Sequence, residues 1–286
     1  MNSVELSSGV IEYTDTGGNG PVLVLLHGLM MDASLWDEVI AGLSPGHRCV
    51  APTLPLGAHR HPMNPGADLS LPGIARLAAE FFDRLDLRDV TLVGNDTGGA
   101  LVQLLMGDGN TRVARAVLVS CDAFDNFPPG LTGRTLLLSG KLPPPLFGVF
   151  MQQMRLRAVR RLPIAFGWMA KHPLPAELLD RWFQPLQTQA AVRRDFRKYV
   201  TGGRRRQMVE ACERLRSFTC PTLVVWTPED KVQRPEHGKR FAALLPDARL
   251  VEVADSYTLI MRDQPQAFAR AIREFVQQTA EVVASA

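Results

Sequence analysis

Apolar positions along this chain fall into two kinds of run. Short continuous runs recur: "PVLVLLHG" (21–28), "HRCVAPT" (47–53), "VTLVGND" (90–96), "RVARAVLVSC" (112–121), "PTLVVWTPED" (221–230) and "ARLVEVA" (248–254). Runs this short and this apolar predict strands, with 21–28 suited to a strand covered on both faces and 112–121 read as a buried one. Between them apolar residues return at helical spacing. Asp32 is placed to cap a helix over 33–43 that buries Leu35, Trp36, Val39 and Ile40, and Ser70 a helix reaching about Leu87. Further helices are expected after Asp96, over 236–245 and over 264–284. Residues 5–14 read as a strand or short hairpin ending at Gly17-Gly18. Repeated strand–helix units predict an α/β fold with a mostly parallel, doubly wound sheet.

The alternation stops between 124 and 215. That stretch is rich in proline and arginine, has helical periodicity and shows no buried strand pattern. It holds 16 Lys/Arg against 6 Asp/Glu, whereas the remainder holds 16 against 23. The expected organisation is a core of 1–123 and 216–286, with 124–215 as an inserted helical cap over the carboxyl ends of the strands, where such sheets bind ligands. Cap residues such as Phe147, Met151, Phe166, Met169 and Trp182, with Leu146, are candidates to wall an apolar pocket or simply to pack the cap itself. Its arginines (Arg155, Arg157, Arg160, Arg161, Arg193, Arg194, Arg197 and Arg204 to Arg206) suit either an anionic or carrier-bound substrate or a solvated helical face.

At 286 residues and 46% hydrophobic, the chain can bury a sizeable core, and a charged fraction of 21% without long like-charge runs excludes a disordered polymer. The N-terminus lacks the pattern of a secretory signal, and no run reaches ~18 uninterrupted apolar residues. A cytoplasmic protein without a membrane partner is expected. The four cysteines show no CxxC spacing and read as reduced thiols. No nucleic-acid recognition motif accompanies the basic segment. No cofactor or metal is called for, the expected partner is a small molecule, and the chain is expected as a monomer or homodimer.

The candidate chemistry lies in "VTLVGNDTGGALVQLLMG" (90–107). A strand, a turn with glycines on both sides of one reactive residue, and a helix make a nucleophile elbow. Here Gly94-Asn95-Asp96-Thr97-Gly98 puts a carboxylate at the tip, beside a helix N-terminus that favours negative charge. The alternative is that Asp96 only caps the following helix.

With "HG" (His27-Gly28), "EDKV" (229–232) and "DQP" (263–265), the elbow resembles the α/β-hydrolase superfamily over nearly the whole chain. An elbow Asp is similar to that of haloalkane dehalogenases and epoxide hydrolases. The resemblance implies that Asp96 attacks a saturated carbon and forms an ester, that Leu29 and Thr97 supply backbone N–H donors, and that Asp122 or Asp230 is the partner acid. His27 reads as a structural turn residue. The family's basic histidine belongs seven residues before the proline of "DQP"; here "VEVADSYTLIMRDQP" places Thr258 there, and threonine is no general base near neutral pH. His59, in the loop "GAHRHP", is a candidate substitute base or a plain loop histidine. Other departures are Thr97 where dehalogenases carry Trp, Leu29 where many carry Asn, and one cap tyrosine, Tyr199, where epoxide hydrolases use two. Three functions follow: a hydrolase of epoxides, halides or esters acting through Asp96 on a small apolar substrate; a non-hydrolytic acid–base enzyme (cyclase, isomerase or lyase) using Asp96; or a catalytically silent binding protein.

Overall fold

The computed structural model describes residues 1–202 and 205–285. Its centre is one eight-stranded sheet: β1 (Asn2–Leu6), β2 (Gly9–Asp15), β3 (Val22–Leu26), β4 (Arg48–Pro52), β5 (Val90–Asp96), β6 (Val113–Cys121), β7 (Thr222–Trp226) and β8 (Ala248–Glu252). The spatial order is β1-β2-β4-β3-β5-β6-β7-β8. The first two strands form an antiparallel hairpin, and β2 pairs antiparallel with β4. Every other pairing is parallel. Each predicted apolar run became a strand. In β5 every residue is buried, as a strand covered on both faces requires.

The helices begin where polar caps predict. Asp32 accepts a hydrogen bond from Ser34 N at 2.9 Å and opens a 3-10 turn, Ala33–Trp36, that runs into the helix Asp37–Leu43. Ser70 accepts from Gly73 N at 3.2 Å and opens Leu71–Arg84, which buries Ile74, Leu77, Phe81 and Phe82. That helix stops short of the expected Leu87 because Asp86 takes a left-handed φ of 46°. The last helix, Pro265–Ser285, follows a single turn, Ile260–Asp263, and stacks Phe268 on Trp36 at 6.2 Å.

Between β6 and β7 the described residues form helices and no strand: Gly130–Gly140, Pro144–Gln152, Arg157–Arg160, Ala176–Thr188, Ala190–Gly202 and Arg205–Arg214. Arg204, one of the basic positions noted above, lies outside the described residues. Buried carboxylates tie this helical segment to the sheet domain. Asp32 accepts from Arg181 Nε at 2.7 Å and Trp182 Nε1 at 3.1 Å, and Asp195 accepts from Met63 N at 2.7 Å. The arginines thus divide: Arg160 is buried, 2.5 Å from Asp180, and others are exposed. No helix among the described residues is long and apolar enough to cross a membrane.

The strand order fixes where a site can form. From β3 the chain moves to β4 on one side of the sheet and then to β5 on the other. The carboxyl ends of β3 and β5 therefore flank a crevice at the switch point.

Candidate active site

Asp96 ends β5 with φ 53° and ψ −124°, a conformation that costs a non-glycine residue on the order of 1–3 kcal/mol. The glycines make that turn sterically feasible. A Cβ on Gly28 would overlap the Asp96 carboxylate, and one on Gly98 would overlap the Leu26 carbonyl. The Asp96 side chain makes no capping bond to the helix Thr97–Gly107. Instead its Oδ2 accepts from Leu29 N at 3.2 Å, across the crevice from the end of β3. The capping alternative is thereby set aside.

Asp122, just past the end of β6, lies beside Asp96, and a single amide joins them. Gln233 Nε2 donates to Asp96 Oδ1 at 3.2 Å and to Asp122 Oδ1 at 2.9 Å. The Thr97 hydroxyl is 3.2 Å from Asp122 Oδ2. Both carboxylates are buried, at 4% and 1% exposure. Burial raises the pKa of Asp96, while the Leu29 and Thr97 backbone N–H groups and Gln233 counteract it. Asp122 is raised well above the usual carboxylate range, by burial and then by the charge of Asp96. Two like charges this close do not both ionise readily, and the better-solvated partner ionises first. Of the two, Asp122 is the carboxyl whose surroundings favour the protonated form, and Asp96, with its N–H donors, the one whose charge is better supported.

Asp96 and Asp122 form one wall of a cavity of about 60 Å³, room for roughly five water-sized groups. The rest is mostly apolar: Leu29, Met30, Phe127, Leu136, Phe166, Met169 and Val200 are among its walls. Of the helical-segment residues singled out above, Phe166 and Met169 line the cavity. Phe147, Met151 and Trp182 pack in the interior and Leu146 is exposed. Among the described residues no Lys or Arg lines the cavity, so an anionic substrate group meets no counter-charge from them there. Tyr199, also lining it, is buried, and its hydroxyl makes no well-formed hydrogen bond among the described residues, with the Thr97 side chain beside it. Burial, then the Asp122 charge, raises its pKa, which keeps it a donor.

Two sequence candidates fall elsewhere. Asp230, at the position where the family more often keeps its acid, does not line the cavity. Its Oδ1 accepts from Val232 N and Gln233 N, each at 2.9 Å, and from the Thr258 hydroxyl at 2.8 Å. Burial pushes its pKa up to about 6. Asp230 thus pairs with the Thr258 hydroxyl and fixes the turn that aims Gln233. His59 is not a cavity residue either. Gly57 N donates to its Nδ1 at 3.4 Å, and its Nε2 is 3.5 Å from buried Asp195, on the seam with the helical segment. A loop histidine next to a buried carboxylate is more stable in that pairing than facing an apolar cavity. His27 takes the turn role: Leu54 N donates to its Nε2 at 2.8 Å, and burial lowers its pKa to about 4. Among the described residues no histidine lines the cavity, and no group of His, Cys, Asp or Glu is arranged to hold a metal. All four cysteines are free.

Residues 23–271 match the model of the alpha/beta hydrolase family. The chain belongs to that family. It is 28% identical over 274 residues to haloalkane dehalogenase 2 of Mycobacterium tuberculosis, covering 94% of this chain and 92% of the relative. It is 26% identical over 254 residues to a 2-hydroxy-6-oxononadienedioate/2-hydroxy-6-oxononatrienedioate hydrolase of Cupriavidus pinatubonensis, covering 84% and 81%. Among solved structures, a thermophilic esterase from Thermogutta terrifontis shares the fold with a TM-score of 0.75 at 20% identity, covering 98% of this chain and 99% of that one. Gln233 carries no motif that sequence reading could use, because an amide fits no spacing rule. Tyr199 was visible only as a lone tyrosine in the helical segment.

Proposed function

We propose that this protein is a hydrolase of small, apolar substrates with an oxygen leaving group, such as epoxides, in which two carboxylates replace the carboxylate–histidine pair. The observation that carries the reading is the Asp96–Asp122 pair sharing the Gln233 amide inside an apolar cavity. Asp96 Oδ1 attacks the substrate carbon while Oδ2 stays on Leu29 N. The C–O bond breaks, and the Asp122 proton passes to the departing oxygen, with the Tyr199 hydroxyl as a second donor. Asp122 has given up its proton, and esterification removes the Asp96 charge, which would otherwise oppose a second charge beside it. Asp122 is then a carboxylate and can serve as base. It takes a proton from water as the water oxygen adds to the Asp96 ester carbon. The tetrahedral oxyanion is stabilised by the Leu29 and Thr97 N–H groups. Collapse regenerates the Asp96 carboxylate, the second water proton leaves with the alcohol product, and Asp122 is again protonated. The same residue acts as acid and then base, the logic by which retaining glycosidases use two carboxylates.

Haloalkane dehalogenase relatives act, by name, on haloalkanes; an oxygen leaving group is favoured here because the cavity offers acid donors to oxygen. The absence of a histidine among the cavity walls favours a second reading, in which Asp96 and Asp122 exchange protons with a substrate and no ester forms.

The two separate by isotope. After turnover of a panel of small epoxides in H₂¹⁸O, the Asp96-containing peptide gains ¹⁸O if an ester is formed and hydrolysed. Asp122→Asn then stalls with an alkyl mass on Asp96, and overall turnover falls roughly 10²–10⁴-fold. Product formed with no label in Asp96 would leave the acid–base reading.

A further inference from the structure

Nine large apolar side chains stand out as exposed among the described residues, and seven of them lie within 131–164. That stretch sits in a longer one, 126–176, without a single Asp or Glu. On the helix Gly130–Gly140, Leu131, Arg134 and Leu138 share the exposed face at helical spacing, at 52% exposure for Leu131 and 61% for Leu138. The opposite face of the same helix buries Leu136 and walls the cavity. The Thr132 hydroxyl donates to the Pro163 carbonyl at 2.9 Å, which ties the segment of exposed Leu162 and Ile164 to the helix that carries Leu131. The next helix, Pro144–Gln152, packs on the first; it buries Phe147 and Met151 and exposes Leu146 and Val149. Exposed Leu156 follows between Arg155 and Arg157.

Four cations on this face have no neutralising partner among the described residues. Arg157 reaches Asp180 at 3.8 Å, but Arg134, Lys141, Arg155 and Arg161, all exposed, form no ion pair among the described residues. The exposed set is aliphatic, with no aromatic member. Protein interfaces concentrate Tyr, Trp and Phe as anchors, and this exposed set holds none. Scattered aliphatic side chains interleaved with free cations suit the headgroup–acyl boundary of an anionic bilayer, where apolar contact and charge act together.

We propose that the outer face of 131–164 docks on anionic membrane surfaces. The lack of a helix long enough to span a bilayer concerns crossing a membrane, not lying on one. Docking does not depend on the chemistry proposed for Asp96.

The test is co-sedimentation of the full chain with vesicles of phosphatidylcholine alone or mixed with phosphatidylglycerol. Binding is expected to the mixed vesicles only and to weaken with salt. The pair Arg155→Glu/Arg161→Glu should lower it roughly tenfold or more. The pair Leu138→Ser/Leu146→Ser should lower it several-fold, with thermal melting unchanged because those side chains are exposed. No binding to mixed vesicles overturns the proposal. So does binding that ignores the leucine substitutions, which would be bare charge attraction. Binding to polyglutamate without binding to vesicles would make the face a contact for an acidic protein, and overturns it too.

Discussion

Tyr199 carries a buried hydroxyl that makes no well-formed hydrogen bond among the described residues, with only the Thr97 side chain to interact with it, an arrangement that proteins keep only at some cost. Tyr199→Phe should therefore raise stability by about 1 kcal/mol in urea unfolding while lowering kcat/KM for an epoxide roughly tenfold or more. A purely structural tyrosine would show neither the gain nor the selective loss. Gln233 is read out by pH. Activity requires Asp96 ionised and Asp122 protonated, so the rate falls below the Asp96 pKa and above the Asp122 pKa. The Gln233 amide favours the charged form of both. Gln233→Leu removes it, both pKa values rise, and the whole bell in kcat/KM should move to higher pH. Asp96 and Asp122 were legible in the sequence because each follows an apolar strand run, and strand ends mark the carboxyl edge of the sheet. Gln233 was not, since its importance lies in reaching two carboxylates from a loop 111 residues or more away.

At the scale of elements, the strands and the helix starts at Asp32 and Ser70 were readable because burial on two faces and capping are local properties. The placement of the helices between β6 and β7 was not, because periodicity says which face is apolar and not what that face meets. Thus Phe166 walls the cavity and Phe147 does not, though both are buried aromatics of the same segment. The turn after β7 is held by one buried carboxylate. Asp230 bonds Thr258 and holds the backbone of Val232 and Gln233. Its pKa, raised to about 6 from an ordinary 3.8, means the folded state binds the proton more tightly than the unfolded chain. Its contribution to stability is then greatest at low pH and is lost as pH rises from about 4 to about 6. Asp230→Asn lacks this titration, so its stability relative to wild type should shift in its favour across that window by on the order of 3 kcal/mol. Urea midpoints measured at several pH values check it.

Over the whole molecule, charge is sorted by location. The formal net charge is +3, with the positive excess in 124–215. The cavity carries the opposite sign: two carboxyl groups, Asp122 the more strongly held to its proton, and no Lys or Arg among its described walls. The sequence shows the first half of that arrangement as composition, but the second only emerges when β5 and β6 set their carboxyl ends side by side. A small space of this kind is a trap for cations. A short alkylammonium ion can place its N–H donors on Asp96 and Asp122 and its alkyl group among Phe166, Met169 and Val200. Such amines should compete with substrate, and tighten as pH rises through the Asp122 pKa while the amine stays protonated. Carboxylates of equal size should not compete. The proton that readies the pair for chemistry is thus also what keeps ammonium ions out, and inhibition measured against pH would reveal how firmly it is held.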